Sequence, residues 1–134
     1  MIITLGFIKR KPGLTHEEFS RHWRDVHGPL LRDTPEFARH LKRYVQHHIY
    51  PNHEFPELAP LEFDGFFESW FDSADARRQL LAEPLFKKLV LPDEAKFLDL
   101  SVRRTSMLDI QATQIGRDLV AEISGKKKRE TKSP

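Results

Sequence analysis

The feature that most constrains the fold is a doubled alternation of strand-length apolar runs with helical patterns. The apolar run IITLGFI at 2–8 precedes a helical pattern that begins near Thr15, and a second strand is predicted at 41–49. The order then repeats with a strand at 63–71, helical pieces, and a fourth strand at 99–110. This order predicts an α+β domain with the ferredoxin-like βαββαβ topology, whose two helical segments pack on one face of a four-stranded antiparallel sheet.

Two short helical layers cover only one face of such a sheet. The other face is apolar as well, and we expect it to pack against a second copy of the chain. The predicted architecture is therefore a dimeric α+β barrel, with a cavity between the sheet and the helices of each subunit. The sequence divides into a barrel domain at 1–110 and a C-terminal extension at 111–134.

Composition limits the class of protein. The chain has 134 residues, 39% of them hydrophobic, which suits one domain with one core. It contains no cysteine, so disulfides and thiolate metal sites are excluded. The N-terminal apolar run is too short for a secretory signal or a membrane span, so we predict a cytoplasmic protein without membrane contact.

The basic residues are concentrated in the tail. The net charge is +2, yet the last ten residues, GKKKRETKSP, carry five basic residues and one acidic residue. The rest of the chain is therefore net negative and has no basic face with aromatic residues for stacking on bases. We predict no nucleic-acid partner and a solvated, disordered tail. The proline-rich stretch at 50–62 is predicted to be a long loop.

The first helix has a clear start and an apolar stripe. Thr15 and Glu18 form a capping-box pattern, and Gly28-Pro29 is expected to end or kink the helix. The predicted core stripe follows the 3.6-residue period and consists of Phe19, Trp23, Val26 and Leu30.

Two histidines flank this stripe on opposite sides. His22 is four residues after Glu18, and we expect the two to form a helical pair, although His22 could also contact substrate. His27 lies in the predicted last turn, where its side chain can reach past the helix end into the cavity. The alternative is that His27 only complements the helix dipole. Because the two histidines are five residues apart, the ideal helix gives them poor geometry for sharing one ligand, and no metal site is predicted.

Period-2 alternation assigns the faces of the second strand. Tyr44, Gln46 and His48 share one face, so Tyr44 and His48, about 13 Å apart by strand rise, could line one cavity. The third strand is aromatic on both faces, and the sequence does not decide which face meets the cavity. Its candidate substrate-binding residues are Phe66, Phe67, Glu68 and Trp70, with Trp23 from the helix.

Three segments carry a resemblance to a known family. KRKPGLTHEEFSRHWRDVHGPL at 9–30 resembles the opening signature of the EthD-domain family, and RYVQHH at 43–48 and FFESWFDSADA at 66–76 are similar to its second and third strands. The resemblance covers about residues 2–108. The loop at 50–62 and the extension after Ile110 depart from the family pattern. The strand RYVQHH with its long loop looks most like the fungal polyketide-decarboxylase branch.

The resemblance implies a small dimeric enzyme without a cofactor. It implies decarboxylation of an aromatic, phenolic polyketide carboxylic acid, with His27 as proton donor and Tyr44 or His48 holding the oxygen where negative charge develops. A lactone or polyketide isomerase or cyclase would use the same histidines. A third possibility is an accessory protein that binds a small molecule without chemistry.

Overall fold

Four antiparallel strands form one sheet in the order β2-β3-β1-β4. The strands are β1 Ile2–Ile8, β2 Arg43–His48, β3 Gly65–Phe71 and β4 Met107–Ile110. The computed structural model describes residues 1–49, 57–58, 61–103 and 107–111. The sheet order and the helices between strands confirm the predicted ferredoxin-like α+β fold.

The helices form a layer on one face of this sheet. Between β1 and β2 lie α1 His16–His22, a π-helical segment Trp23–His27, α2 Gly28–Asp33 and α3 Pro35–Ala38. After β3 lie α4 Ala74–Ala82, a second π-helical segment Phe86–Val90, α5 Leu91–Phe97 and α6 Leu100–Arg103. The capping box of Thr15 and Glu18 is present, and Ser73 caps α4.

The strand register sorts side chains to two faces. Thr4 of β1 lies opposite Ser69 of β3, and both face the helices; Leu5 lies opposite Glu68, and both face away. The ring of Phe67 lies over Gly6, where a Cβ atom would overlap it. This close approach explains a glycine in the middle of β1.

Two buried clusters hold the helical layer on the sheet. One contains Ile8, Phe19, Trp23, Phe97 and Leu98, and the other contains Leu31, Phe37, Phe71, Leu80 and Val90. Trp23 is almost completely buried, and a Cβ atom on Gly65 would lie 2.6 Å from its ring. Burial of apolar side chains from both layers is the main force that joins them.

Of the two predicted effects of Gly28-Pro29, an end or a kink, the end is wrong, and the helix is instead distorted directly before this pair. Its backbone widens to π geometry, in which the Gly28 amide donates to the Trp23 carbonyl five residues earlier, and α-helix resumes through Asp33. Pro29 is tolerated because it lies in the first turn of α2, where a missing N–H costs little.

The π segment also changes which side chains are buried. Val26, predicted in the core stripe, is 49% exposed, whereas His27 is 6% exposed and Leu31 is 9% exposed. One extra residue in the π turn shifts the buried positions from 26 and 30 to 27 and 31. The stripe prediction is therefore correct for Phe19 and Trp23 and wrong for Val26, while Leu30 is partly buried against the second cluster. The error arises because the prediction assumed an uninterrupted 3.6-residue period.

One other sequence prediction needs correction, and two concern segments that lie mostly outside the described residues. The fourth strand starts at Met107, and the earlier part of the predicted run, 100–103, is α6 instead of strand. Most of the predicted loop at 50–62 and nearly all of the extension at 111–134 lie outside the described residues. The predictions for those segments stay predictions.

Candidate functional site

A cavity lies between the helix-facing side of the sheet and the helical layer. Its volume is about 90 Å³. Most of its lining is apolar, and the polar side chains that reach it are Thr4, His27, Tyr44, Ser69, Arg77 and Glu94. A few polar groups in an apolar wall are typical of sites that bind small molecules.

His27 enters this lining because of the π segment. Its Nδ1 donates to Oδ2 of Asp93 at 2.8 Å, and its ring centre lies 5.0 Å from that of Phe97. Both members of the hydrogen bond are buried, with side chains 7% exposed. A carboxylate at Nδ1 orients the imidazole and fixes a proton on that nitrogen.

His22 binds the other oxygen of the same carboxylate. Its Nε2 donates to Oδ1 of Asp93 at 2.9 Å, while Glu18 accepts from the Thr15 amide. The predicted His22–Glu18 pair is therefore wrong. The expectation that His22 and His27 have poor geometry for one ligand is also wrong, because i→i+5 winding brings residues five apart to one side of the helix.

Tyr44 supplies a second polar group at the cavity. Trp23 Nε1 donates to the Tyr44 hydroxyl at 3.1 Å, and Gln46 Nε2 does so at 3.4 Å. Burial raises the pKa of Tyr44 to about 12, and the charge of nearby Glu94 adds to this effect. Tyr44 is therefore a neutral hydrogen-bond donor at physiological pH.

His48 lies on the same side of β2 as Tyr44 but behind Trp23. The two ring centres, of His48 and Trp23, are 4.6 Å apart, and His48 Nε2 contacts Gln46 Oε1 at 3.0 Å. Burial, followed by the charge of Arg24, lowers the pKa of His48. His48 is not among the cavity-lining residues, so a direct role there would require movement of Trp23.

The third strand divides its candidate residues between the two faces. Phe67 lines the cavity, whereas Phe66, Glu68 and Trp70 lie on the outer sheet face and do not reach it. On that face His47 stacks on Phe66 with ring centres 4.2 Å apart and binds Glu68 at 2.6 Å. Hydrogen bonds from His47 and, less strongly, Trp70 lower the pKa of Glu68.

The sequence analysis does not identify two acidic residues that lie at the site. Asp93 and Glu94 follow Pro92 in the first turn of α5 and are 5% and 8% exposed. Acidic residues are common in a first helical turn, where they complement the helix dipole, so their spacing gives no catalytic signal. Only their burial marks them, because a fully buried carboxylate requires a partner.

Neither metal ligation nor membrane crossing is indicated in the described part of the chain. No group of three or more His, Asp or Glu side chains among those residues is arranged to hold a metal ion. None of the described helices combines the length and apolar character that membrane crossing requires.

Comparison with known proteins identifies the family. The sequence model of the EthD domain matches residues 11–101, and the chain belongs to the EthD-domain family. A curated relative is the dehydratase ustZ of Ustilaginoidea virens, which is 29% identical over 114 residues, covering 78% of this chain and 76% of the relative.

Solved structures share the fold at low sequence identity. HapK from Hahella chejuensis has a TM-score of 0.60 at 13% identity, covering 87% of this chain and 97% of HapK. An EthD-family protein from Bacillus halodurans has a TM-score of 0.54 at 16% identity, covering 86% of this chain and all of that one. A dimeric ferredoxin-like protein of unknown function from Thermobifida fusca has a TM-score of 0.53 at 17% identity, covering 84% of this chain and 90% of that protein.

Proposed function

We propose that this protein is a cofactor-independent lyase that acts on a small aromatic, phenolic compound bound in the cavity. The observation that carries the proposal is the buried hydrogen bond between His27 and Asp93 at the cavity wall. A histidine held by a carboxylate is the usual arrangement for moving a proton near neutral pH. The apolar lining excludes water and strengthens electrostatic interactions with a bound molecule.

The reaction we favour is the loss of water from a hydroxylated carbonyl compound. Such an elimination needs a base that removes a proton from carbon and a donor that protonates the leaving hydroxyl group. In this proposal His27 removes the proton, and Tyr44, which stays protonated at neutral pH, donates to the departing oxygen. The relative from Ustilaginoidea virens is named a dehydratase, and a dehydratase removes water from its substrate.

Decarboxylation of an aromatic polyketide acid is the second candidate. It requires only one proton carrier, because carbon dioxide leaves without proton transfer and the carbon that remains is then protonated. His27 can supply that proton, and the resemblance of the strand RYVQHH supports this reaction. The cavity wall near His27 carries Glu94 beside the buried Asp93, and these carboxylates disfavour a substrate anion at this end.

We further propose that the protein is a homodimer joined through the outer sheet face. Half-buried apolar side chains cover this face, including Leu5, Phe7, Val45, Phe66 and Trp70. An apolar face of this kind is typical of an interface. The Thermobifida fusca protein with the same fold is described as dimeric.

Mass spectrometry can test the proposed reaction directly. The protein would be incubated with a panel of phenolic hydroxy-ketones and a matched panel of phenolic carboxylic acids. We expect loss of water from the first panel; loss of carbon dioxide from the second would favour decarboxylation. His27→Asn should lower the rate of product formation by a factor of about 10²–10⁴. A His27→Asn protein with wild-type turnover would exclude His27 as the proton carrier.

A further inference from the structure

A second polar group lines the same cavity away from His27. Thr4, Ser69 and Arg77 line the cavity, and Asp109 contacts Arg77; we name these four residues the Arg77 group. Arg77 Nε donates to Thr4 Oγ1 at 2.9 Å and lies 3.2 Å from Asp109 Oδ1. Thr4 Oγ1 also donates to Asp109 Oδ1, so these three side chains form a closed set of contacts.

The sheet register and α4 bring this group together. Thr4 lies directly opposite Ser69 on one side and Asp109 on the other, and all three face the helices. Arg77 lies one turn into α4 and reaches down onto them. Thr4 is 3% exposed and Ser69 is 9% exposed, whereas the side chains of Arg77 and Asp109 are 25% and 38% exposed, so the group extends from the buried cavity wall toward the surface.

The group lies toward the opposite end of the cavity from His27. Thr4 and Ile8 face the same side of β1, and four residues of strand separate them by roughly 13 Å. Ile8 belongs to the same buried cluster as Phe97, the ring on which His27 packs. A bound molecule can therefore meet a proton carrier at one end and a guanidinium at the other.

Among the described residues, the contacts of Arg77, whose side chain is 25% exposed, leave its Nη1 and Nη2 donors for solvent or for a ligand. A guanidinium has five N–H donors, of which four are on Nη1 and Nη2. The contacts of Arg77 within residues 1–49, 57–58, 61–103 and 107–111 involve only Nε. Most of the surrounding lining is apolar and offers no acceptor, so a ligand oxygen fits these remaining donors.

The net charge of the Arg77 group indicates whether a neutral or a negatively charged ligand oxygen binds there. Asp109 already balances the positive charge of Arg77 at 3.2 Å, so the pair is neutral overall. A carboxylate ligand would add an uncompensated negative charge close to Asp109, whereas a carbonyl oxygen accepts hydrogen bonds without adding charge. We propose that the Arg77 group is a subsite for an uncharged carbonyl oxygen of the ligand. This proposal rests on the proposed function only in treating this cavity as the substrate site.

Acetophenone and benzoate form a suitable pair of probes. Both are single aromatic rings of similar size, but one carries a neutral carbonyl group and the other a carboxylate. The cavity volume of about 90 Å³ restricts the probes to the smallest aromatic compounds, which have a single ring. Binding would be measured by NMR titration of the full chain. We expect wild-type protein to bind acetophenone about tenfold or more tightly than benzoate, the usual effect of one charged hydrogen-bonding group.

Variants of the Arg77 group make the test specific. Arg77→Met should weaken acetophenone binding about tenfold, and Arg77→Lys, which retains the positive charge, should weaken it less. Asp109→Asn removes the balancing charge and should reverse the preference in favour of benzoate. Arg78→Met is the matched control, because Arg78 is the next residue of α4, pairs with Asp75 and does not line the cavity.

Three outcomes would overturn the proposal. They are equal or tighter binding of benzoate by the wild-type protein, unchanged acetophenone binding in a folded Arg77→Met or Arg77→Lys protein, and no change of preference in Asp109→Asn. Absence of any acetophenone binding up to its solubility limit would overturn it as well. These are binding measurements, so their outcome is independent of the proposed lyase activity, which is tested by product formation and by its dependence on His27.

Discussion

The Nδ1 atom of His27 lies 2.8 Å from Oδ2 of Asp93, although the two residues are 66 positions apart in the chain. This contact exists because the π segment turns His27 toward the sheet and α5 places Asp93 in its first turn. His22 occupies the other oxygen of the same carboxylate. One buried carboxylate thus joins the first helical segment to the last long one, and it orients the imidazole at the cavity.

His27→Asn should separate catalysis from folding. The asparagine amide can still donate to Asp93, so the buried carboxylate keeps a partner, but it cannot carry a proton. We expect turnover to fall by a factor of about 10²–10⁴, the usual contribution of a positioned acid or base. His16→Asn is the matched control, because His16 Nδ1 bonds Asp64 at 2.9 Å outside the cavity. Equal losses in the two variants would contradict the role of His27.

A double-mutant cycle should locate the partner of His22. Denaturant unfolding of His22→Ala, Asp93→Asn and the double variant should give a coupling of about 0.5–3 kcal/mol, as expected for side chains in contact. The matched cycle with Glu18→Gln should give a coupling near zero, because Glu18 binds the Thr15 amide. A large coupling between Glu18 and His22 would show that the helical pair predicted from sequence forms in solution.

Truncating two aliphatic side chains should show whether the π-helical segment is present in solution. Leu31→Ala should lower the free energy of unfolding by about 2–5 kcal/mol, the usual cost of truncating a buried leucine. Val26→Ala should lower it by less than about 0.5 kcal/mol, since Val26 is half exposed. Thermal and urea unfolding of both variants would measure this. The reverse ranking would indicate a regular helix through Gly28-Pro29.

Tyr44 should ionise near its raised pKa of about 12. Tyr44 and Tyr50 are the two tyrosines of the sequence, so a Tyr50→Phe variant isolates the signal. Tyrosinate absorbance should rise about two pH units above the ordinary pKa, ~10. Between these values the folded state holds a proton that the unfolded state has released, so stability should fall as pH rises through this window. The control is the same variant in denaturant, which should titrate near pH ~10; native titration there would refute the burial of the hydroxyl.

The assembly prediction concerns the outer sheet face. Light scattering at micromolar concentration should give twice the 15.7 kDa mass of one chain. Phe66→Lys places a charge among half-buried aromatic residues of this face and should shift the protein toward monomer. Val26→Lys on the helical layer is the control and should leave the mass unchanged. A monomeric wild-type protein would refute the proposed dimer.

Much of the fold could be predicted from the sequence. The alternation of strands and helices, the capping box of Thr15 and Glu18, and the shared face of Tyr44, Gln46 and His48 all depend on local spacing, and the structure confirms them. These features can be predicted from sequence because the strand period and helix capping depend on only a few adjacent residues. The sequence does not determine which face of the third strand meets the cavity. The register of this strand with β1 assigns the face.

The site depended on contacts that no local pattern encodes. His27 could be named as a candidate from sequence, but its partner Asp93 and the Arg77 group combine residues from segments far apart in the chain. The placement of Val26 and Leu31 followed from the π segment, whose extra residue changes the helical phase without a reliable sequence signal. Sequence by itself determined which segments become strands and helices, because local spacing governs them. The tertiary structure decided which polar side chains meet in the cavity, because packing between distant segments sets helix phase, burial and the pairing of charges.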